Sequence, residues 1–385
     1  RPGSARTLLL IAAAAVVLGM AAASNVQIGD SEPGSPILYP DHDYNISSRV
    51  VNERFPGSEE LYVVAETDEK GGLKRPEVLK ALAAFQAHML TDPGVGGAKG
   101  LPDLIQQVNR LMHNNDPRWY QIPHDERYVG GLMFTYMASS PIPGALDEFN
   151  NTDDQVANLV FYYKDRQGET IRRAIHMAKQ WIDEHGDEVE GLTIKLAGGT
   201  LGVAAAMNES AYQTNLIVLP LVFLLIFAFV TLFYTSWHAG LMMLLAMLFA
   251  TTLTYAYMGL SGLNIDINTV PVIAVGIGVG IDYSIYMMDR VREETAAAGG
   301  DLEIGVRNAI ATTGKAIAFT ATALIGGVVM WALVSELRFQ ADAALLLVVM
   351  LILNAWAAGN LVPAWIVRFR PGFIVRAKPH LEEEE

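Results

Sequence analysis

The amino-acid sequence contains six apolar segments, each long enough to cross a lipid bilayer. A hydrocarbon core of about 30 Å requires roughly 20 apolar residues in a helix. Because backbone in lipid must satisfy its own hydrogen bonds, such segments fold as helices. The segments are residues 5–23, 214–235, 238–260, 268–288, 316–334 and 341–367. We therefore predict an α-helical polytopic membrane protein with six transmembrane helices.

The first apolar segment has two interpretations. Arg1 and Arg6 precede it, and it ends in Ala21-Ala22-Ala23-Ser24, a pattern that also fits a signal peptide and its cleavage site. The run is longer than most signal-peptide apolar regions, and five later spans need a sixth to bring both termini to one side. We predict residues 1–24 as the first transmembrane helix.

Basic residues set the predicted orientation. They concentrate in the segments on one side of the predicted spans, whereas the short loops on the other side carry only Arg338. Positive charge marks the cytoplasmic side of a membrane protein. We therefore expect both termini to be cytoplasmic and residues 25–212 to lie outside. The basic residues on the inner side are Arg1, Arg6, Arg290, Arg292, Arg307, Lys315, Arg368, Arg370, Arg376 and Lys378.

Residues 25–212 read as an extracytoplasmic α/β domain, with strand-like and helical runs alternating along the chain. We predict a ferredoxin-like arrangement of sheet and helices. Residues 94–100 contain four glycines and are expected to form a flexible loop. A five-helix membrane domain over 213–370 and an acidic tail over 371–385 complete the predicted organisation. The predicted strands are 60–66, 156–164 and 192–196, and the predicted helices are 76–90 and 169–185.

Composition argues against an enzyme and against nucleic-acid binding. Cysteine is absent, which excludes thiolate metal sites and cysteine nucleophiles. Residues 25–211 hold 28 acidic and 16 basic residues, so this domain offers no basic surface to nucleic acid. The glycines of 198–202 lack the Lys-Ser/Thr ending of a phosphate-binding loop. We expect no catalytic residues, no metal and no bound cofactor.

Asp282 is the only residue of the fourth apolar segment that can carry a charge. A carboxylate at that depth costs at least about 2.5 kcal/mol on insertion scales, so it is rarely kept without a use. Gly276 and Gly280 form a GxxxG pair that permits close helix packing, and Gly278 lies one turn before Asp282 on the same face. Tyr283 adds a hydroxyl at similar depth. We expect the carboxyl to face a neighbouring helix.

The hydroxyl groups of Thr320 and Thr322 in the fifth segment are candidates for the same relay. Threonine in a helix also bonds its own backbone, so each of them alone has a structural interpretation. Asn354 in the sixth segment is a weaker candidate. No Lys or Arg lies deep in any segment, and Asp282 is therefore expected to be protonated at rest. Proton relay is the leading hypothesis, and a neutral acid that bonds two helices together is the alternative.

Three sequence stretches resemble a known family of transporters. They are GIGVGIDYSIYMMDRVREE, GVRNAIATTGKAIAFTATALIGG and LVPAW. Together with the order of one span, a large outer domain and five spans, they resemble the resistance–nodulation–division (RND) superfamily. The Asp282-Tyr283 pair is most similar to its MmpL and hopanoid-exporter-like branch.

The resemblance implies a proton-driven transporter in a bacterial inner membrane, with residues 25–212 in the periplasm. Asp282 would relay protons beside Tyr283, and the proton gradient would replace any cofactor. Such proteins consist of two tandem halves, and this chain matches one half, most similar to the second. Its partners would be the other half or a second copy, a hydrophobic or lipid substrate, and a periplasmic acceptor protein. The lysine that drug-efflux members place against the acids is absent here.

Two relatives of this superfamily provide alternative functions. SecDF-like accessories of protein translocation share six spans and an acid in the fourth span, but they usually lack a tyrosine after the acid. Sterol-sensing relatives bind lipids without transport and need no proton coupling. Replacing Asp282 with asparagine would be silent for ligand response in such a sensor.

Overall fold

The computed structural model describes residues 2–30 and 34–376 and is mostly helical. The chain divides into two compact units. The α/β unit contains Pro40–Met207 and the short segment that ends at Ser35. The helical unit contains the first helix, Pro36–Tyr39 and the chain from Asn208 onward. Of the predicted acidic tail, everything beyond residue 376 lies outside the described residues.

Helix α1 spans Pro2–Ala23 and precedes the α/β unit, which is built on one four-stranded sheet. Helices separate the strands of this unit along the chain, as the sequence pattern predicts, and two of them lie between β2 and β3. In chain order they are α2 (Asp43–Arg54), β1 (Glu59–Thr67), α3 (Pro76–Met89), β2 (Val95–Lys99), α4 (Leu101–Met112), α5 (Glu126–Ser139), β3 (Val156–Tyr163), α6 (Gly168–His185), β4 (Leu192–Gly198) and α7 (Gly199–Gln213).

The sheet has a ferredoxin-like topology. Its strand order is β2-β3-β1-β4, and every neighbouring pair is antiparallel. A helix joins β1 to β2 and another joins β3 to β4, which is the split βαβ arrangement. Leu61, Val63 and Ala65 of β1 are fully buried, with intermediate exposure between them, so the period-two pattern packs one face on the core.

The glycine-rich segment at residues 94–100 is not a flexible loop, and that prediction is wrong. It forms β2, an edge strand paired with β3. A Cβ atom at Gly96 would lie 1.8 Å from the backbone oxygen of Pro56, and one at Gly100 would lie 2.3 Å from Leu159 Cδ2. These glycines therefore serve close packing of the backbone, a use of glycine that sequence alone does not separate from flexibility.

A buried ion pair lies beside this strand. Oδ1 of Asp92 accepts hydrogen bonds from Arg173 Nε and from the backbone N–H of Gly94, both at 2.8 Å, and the Asp92 side chain is fully buried. Within the described residues, Asp92 Oδ2 and the Tyr163 hydroxyl are buried without hydrogen-bond partners. Burial, followed by the charge of Asp92, raises the pKa of Tyr163.

Eight further helices follow α7 among the described residues of the helical unit. They are α8 (Leu219–Phe233), α9 (Trp237–Ser261), α10 (Thr269–Ala297), α11 (Leu302–Ala309), α12 (Lys315–Val334), α13 (Arg338–Trp356), α14 (Val362–Phe369) and the short α15 (Gly372–Val375). Three five-residue π turns make α7 continuous with α8, α11 with α12, and α13 with α14.

Within residues 2–30 and 34–376, six helical stretches are long and apolar enough to cross a membrane. They confirm the predicted number of spans. The second begins at Gly199, well before the predicted start at residue 214, because the alanine-rich residues 203–207 continue the helix. The stretches are Gly3–Ala23, Gly199–Phe233, Trp237–Ser261, Thr269–Ala297, Leu302–Val334 and Arg338–Phe369.

Helices α9, α10 and α13 form the centre of the helical unit. Helix α10 packs on both α13 and α9, while α8 packs on α9 and α12 packs on α13. Helix α1 packs on α9 and α14. Helices α8 and α12 therefore lie at the flanks, and much of their surface is exposed in the single chain.

The segment that leads into the α/β unit is attached to the start of α13. Leu38 forms an antiparallel β-bridge with Leu337. The Tyr39 hydroxyl donates a hydrogen bond to the Ser335 backbone oxygen at 3.4 Å. The chain entering Pro40 is thereby tied to the residues from which α13 begins.

Candidate functional site

Two glycines of α10 form its contact with α13. A Cβ atom at Gly276 would lie 2.2 Å from Met350 Sδ, and one at Gly280 would lie 2.3 Å from Asn354 Oδ1. Asn354 is buried and donates its Nδ2 hydrogen to the Gly276 backbone oxygen at 2.7 Å. Small residues thus let the two backbones approach, and a polar side chain bonds across the interface.

Gly278 and Asp282 lie on a different face of α10, which no other described helix of this chain covers. A Cβ atom at Gly278 would meet nothing within 4 Å. Val275 and Tyr286 on the same face are 58% and 60% exposed. We call this face the open stripe. Its residues recur every three or four positions and are Pro271, Val275, Gly278, Asp282 and Tyr286.

Asp282 therefore lies in the middle of an apolar, exposed surface of a membrane-spanning helix. No hydrogen bond or ion pair reaches its carboxyl group within residues 2–30 and 34–376. The helix that we expected to face this carboxyl is therefore not provided by the described part of the chain.

Tyr283 points away from the open stripe, because adjacent residues of an α-helix differ by about 100°. It is 4% exposed and belongs to a core cluster that includes Phe249 and Met287. Its hydroxyl is buried and has no hydrogen-bond partner among the described residues. The neighbouring pair thus offers one exposed carboxyl and one buried, unpartnered hydroxyl.

The two threonines of α12 are not linked to Asp282 by a hydrogen bond in the described chain. Both Thr320 and Thr322 are exposed. The Thr322 hydroxyl donates to the Ala318 backbone oxygen of its own helix at 2.7 Å. Helix α12 packs mainly on α13 rather than along α10. Within the described part of one chain, these hydroxyl groups and the Asp282 carboxyl therefore lie on separate surfaces.

Asp289 is a second acid on α10 that the sequence analysis missed. It follows Asp282 by seven residues, which places it two turns further along the same side of the helix. The Tyr234 hydroxyl, which follows α8, donates to Asp289 Oδ1 at 2.8 Å. The seven-residue spacing from Asp282 could have identified Asp289 from the sequence. Its partner, Tyr234, could not be identified in this way because it lies in a distant part of the sequence.

The described residues contain no group of three His, Cys, Asp or Glu side chains that could hold a metal ion. The titratable groups described above lie instead along one helix.

Comparisons with known proteins agree with this architecture. The MMPL family model matches residues 40–372, which is most of the chain. A protein of Methanocaldococcus jannaschii named as a membrane protein, MJ1562, is 23% identical over 289 residues, covering 72% of this chain and 69% of that protein. The residues that the family model matches include most of the α/β unit, the open stripe and α14. The chain therefore belongs to the MMPL family of membrane proteins, and it carries six helices able to span a bilayer.

Proposed function

We propose that this protein is a proton-driven transporter of the RND type that moves lipids or other hydrophobic molecules outward across a bacterial inner membrane. Asp282 would bind and release the coupling proton, and residues 25–212 would receive the cargo in the periplasm. The position of Asp282 on the open stripe, at the middle of α10, is the observation that carries this proposal.

The energetics of Asp282 support a functional use. An acidic side chain at the centre of a bilayer costs about 2.5–3.5 kcal/mol on insertion scales. In the described chain the cost is not offset by a hydrogen bond or an ion pair. A carboxyl that no described residue occupies is open to water or to a partner helix, which is the accessibility that a coupling group needs.

The open stripe offers a surface on which a helix from a partner would complete the site. Gly278 presents bare backbone one turn from Asp282, so a facing helix can approach closely there. Such a helix would come from the other half of a tandem transporter or from a second copy. It would bring its own polar groups to Asp282, and Thr320, Thr322 and Tyr283 would provide further hydroxyl groups to the completed site.

Family membership and the lack of a cationic partner for Asp282 among the described residues support a hydrophobic cargo. The open surfaces of α8 and α12 are apolar, so molecules dissolved in the bilayer can reach them. Passage to a periplasmic acceptor protein is the expected last step.

The test is transport in proteoliposomes containing the full chain, with a fluorescent phospholipid as cargo probe and an imposed pH gradient. Asp282→Asn keeps the shape of the side chain but cannot release a proton, so gradient-dependent movement should be lost. Asp342→Asn is the matched control, because Asp342 is also on a membrane-spanning helix but pairs with Arg338 at 3.3 Å. Transport by Asp282→Asn at the wild-type rate would refute proton coupling through this residue and favour the alternative that Asp282 is a neutral acid bonding two helices together.

A further inference from the structure

An apolar groove opens between α1 and α9, away from the open stripe and its acid. It has a volume of about 390 Å³, and α14 contributes to one of its ends. Leu9, Ala13 and Val17 line it from α1, and Phe249 lines it from α9. Because all three helices belong to membrane-spanning stretches, the groove faces the bilayer, and an apolar chain fits its lining.

Trp365 provides a polar group at the α14 end of this groove. The Trp365 side chain lines the groove, and its Nε1 atom is buried without a hydrogen-bond partner among the described residues. A buried indole N–H normally finds an acceptor. An occupant that combines an apolar chain with a carbonyl oxygen would supply it.

Positive charge flanks the same end of the groove. Arg6 precedes Leu9 by three residues on α1, and Arg368 follows Trp365 by three residues on α14. Residues three apart lie on one face of a helix, about 4.5 Å apart along its axis. Both arginines are exposed, and α1 packs on α14. The end of the groove is therefore suited to an anionic group.

We propose that the groove is a binding site for an anionic diacylphospholipid of the surrounding membrane. One acyl chain fills the apolar groove, an ester carbonyl accepts from Trp365 Nε1, and the phosphate pairs with Arg6 and Arg368. The order of the three protein features along the groove matches the order of chain, ester and phosphate in the lipid. The site is independent of proton coupling and would bind lipid in a protein that does not transport.

The direct test uses the fluorescence of Trp365 in phosphatidylcholine proteoliposomes. The other tryptophans, at positions 119, 181, 237, 331 and 356, are replaced by phenylalanine. Brominated phosphatidylglycerol and brominated phosphatidylcholine are then compared as quenchers at equal mole fraction. Each arginine should favour the anionic lipid by roughly fivefold, so Arg368→Gln should lower the preference about fivefold. Arg376→Gln is the control, since α15 packs on α10.

A second pair of variants tests the groove itself and keeps all tryptophans. Ala13→Phe fills the groove, whereas Ala14→Phe adds the same ring to the adjacent exposed position outside its lining. Mass spectrometry of the purified full chain should show a retained anionic phospholipid in wild type and Ala14→Phe, and its loss in Ala13→Phe. Equal quenching by the two lipids, equal lipid retention by the two variants, or a groove closed by a second copy of the chain would each overturn the proposal.

Discussion

Replacing Gly280 with alanine should destabilise the contact between α10 and α13. The new Cβ atom would lie 2.3 Å from Asn354 Oδ1 and 2.5 Å from its Cγ. Asn354 cannot move away freely, because its Nδ2 hydrogen bonds to the Gly276 backbone oxygen at 2.7 Å. The substitution therefore forces a choice between a steric clash and a lost hydrogen bond.

The expected magnitude combines three effects. Overpacking of a tight core costs typically about 1–3 kcal/mol. A hydrogen bond between membrane helices contributes about 0.6 kcal/mol on average. Alanine favours a helix over glycine by up to about 1 kcal/mol, which offsets part of the loss. We expect Gly280→Ala to lower the free energy of unfolding by about 1–3 kcal/mol.

Gly278→Ala is the matched control, since it makes the same chemical change two residues away. Its Cβ atom would meet nothing within 4 Å, so only the helix-propensity gain remains. Gly276→Ala should fall between the two, because its close neighbour is the end of the flexible Met350 side chain.

The assay is equilibrium unfolding of the three variants and wild type in mixed detergent micelles, followed by circular dichroism of the helices. The order of stability should be Gly278→Ala, then Gly276→Ala, then Gly280→Ala. If Gly278→Ala loses as much stability as Gly280→Ala, the assignment of the two faces of α10 is wrong.

Three further substitutions test other parts of the structure. Arg173→Met leaves the buried Asp92 carboxylate without its ion pair and should cost about 3 kcal/mol in chemical unfolding of the full chain. Tyr163→Phe removes a hydroxyl with no partner, so unfolding at neutral pH should change by less than about 1 kcal/mol. Because burial raises the pKa of Tyr163 in the folded state, folding favours the neutral hydroxyl over the ionised one. This preference leaves the free energy of unfolding unchanged below a pH of about 10 and lowers it as pH rises toward the folded-state pKa. Tyr163→Phe should lack that decline. Tyr234→Phe removes the hydrogen bond to Asp289 and should lower stability by about 1–2 kcal/mol, seen as a lower melting temperature in detergent.

The sequence predicted the six membrane-spanning helices, two helices of the α/β unit and three of the four strands, because each of these depends on local patterns. Apolar runs in lipid can only be helical, and the alternation of Leu61, Val63 and Ala65 is visible without a structure. Strand β2 was missed because the glycines of residues 94–100 pack closely against Pro56 and Leu159, which are far away in sequence. Sequence shows that glycine is present but not which backbone approaches it.

The candidate site was predictable as a set of residue types but not as a geometry. The charge of Asp282 in an apolar run identifies it at once. Which face of α10 it takes depends on the register between α10 and α13, and this register is fixed by the bond from Asn354 to Gly276, 78 positions apart in sequence. The bond between Tyr234 and Asp289 is likewise a long-range contact, and no local pattern announces it.

The hydrogen bond from Asn354 to Gly276 has a mechanical consequence. It joins α10 to α13 at the level of the close glycine contact, so a rotation of α10 about its axis would break this bond unless α13 moved with it. The start of α13 is in turn bridged to Leu38, two residues before Pro40. If Asp282 exchanges a proton as proposed, the hydrogen bond and the bridge connect its helix, through α13, with the chain segment just before Pro40.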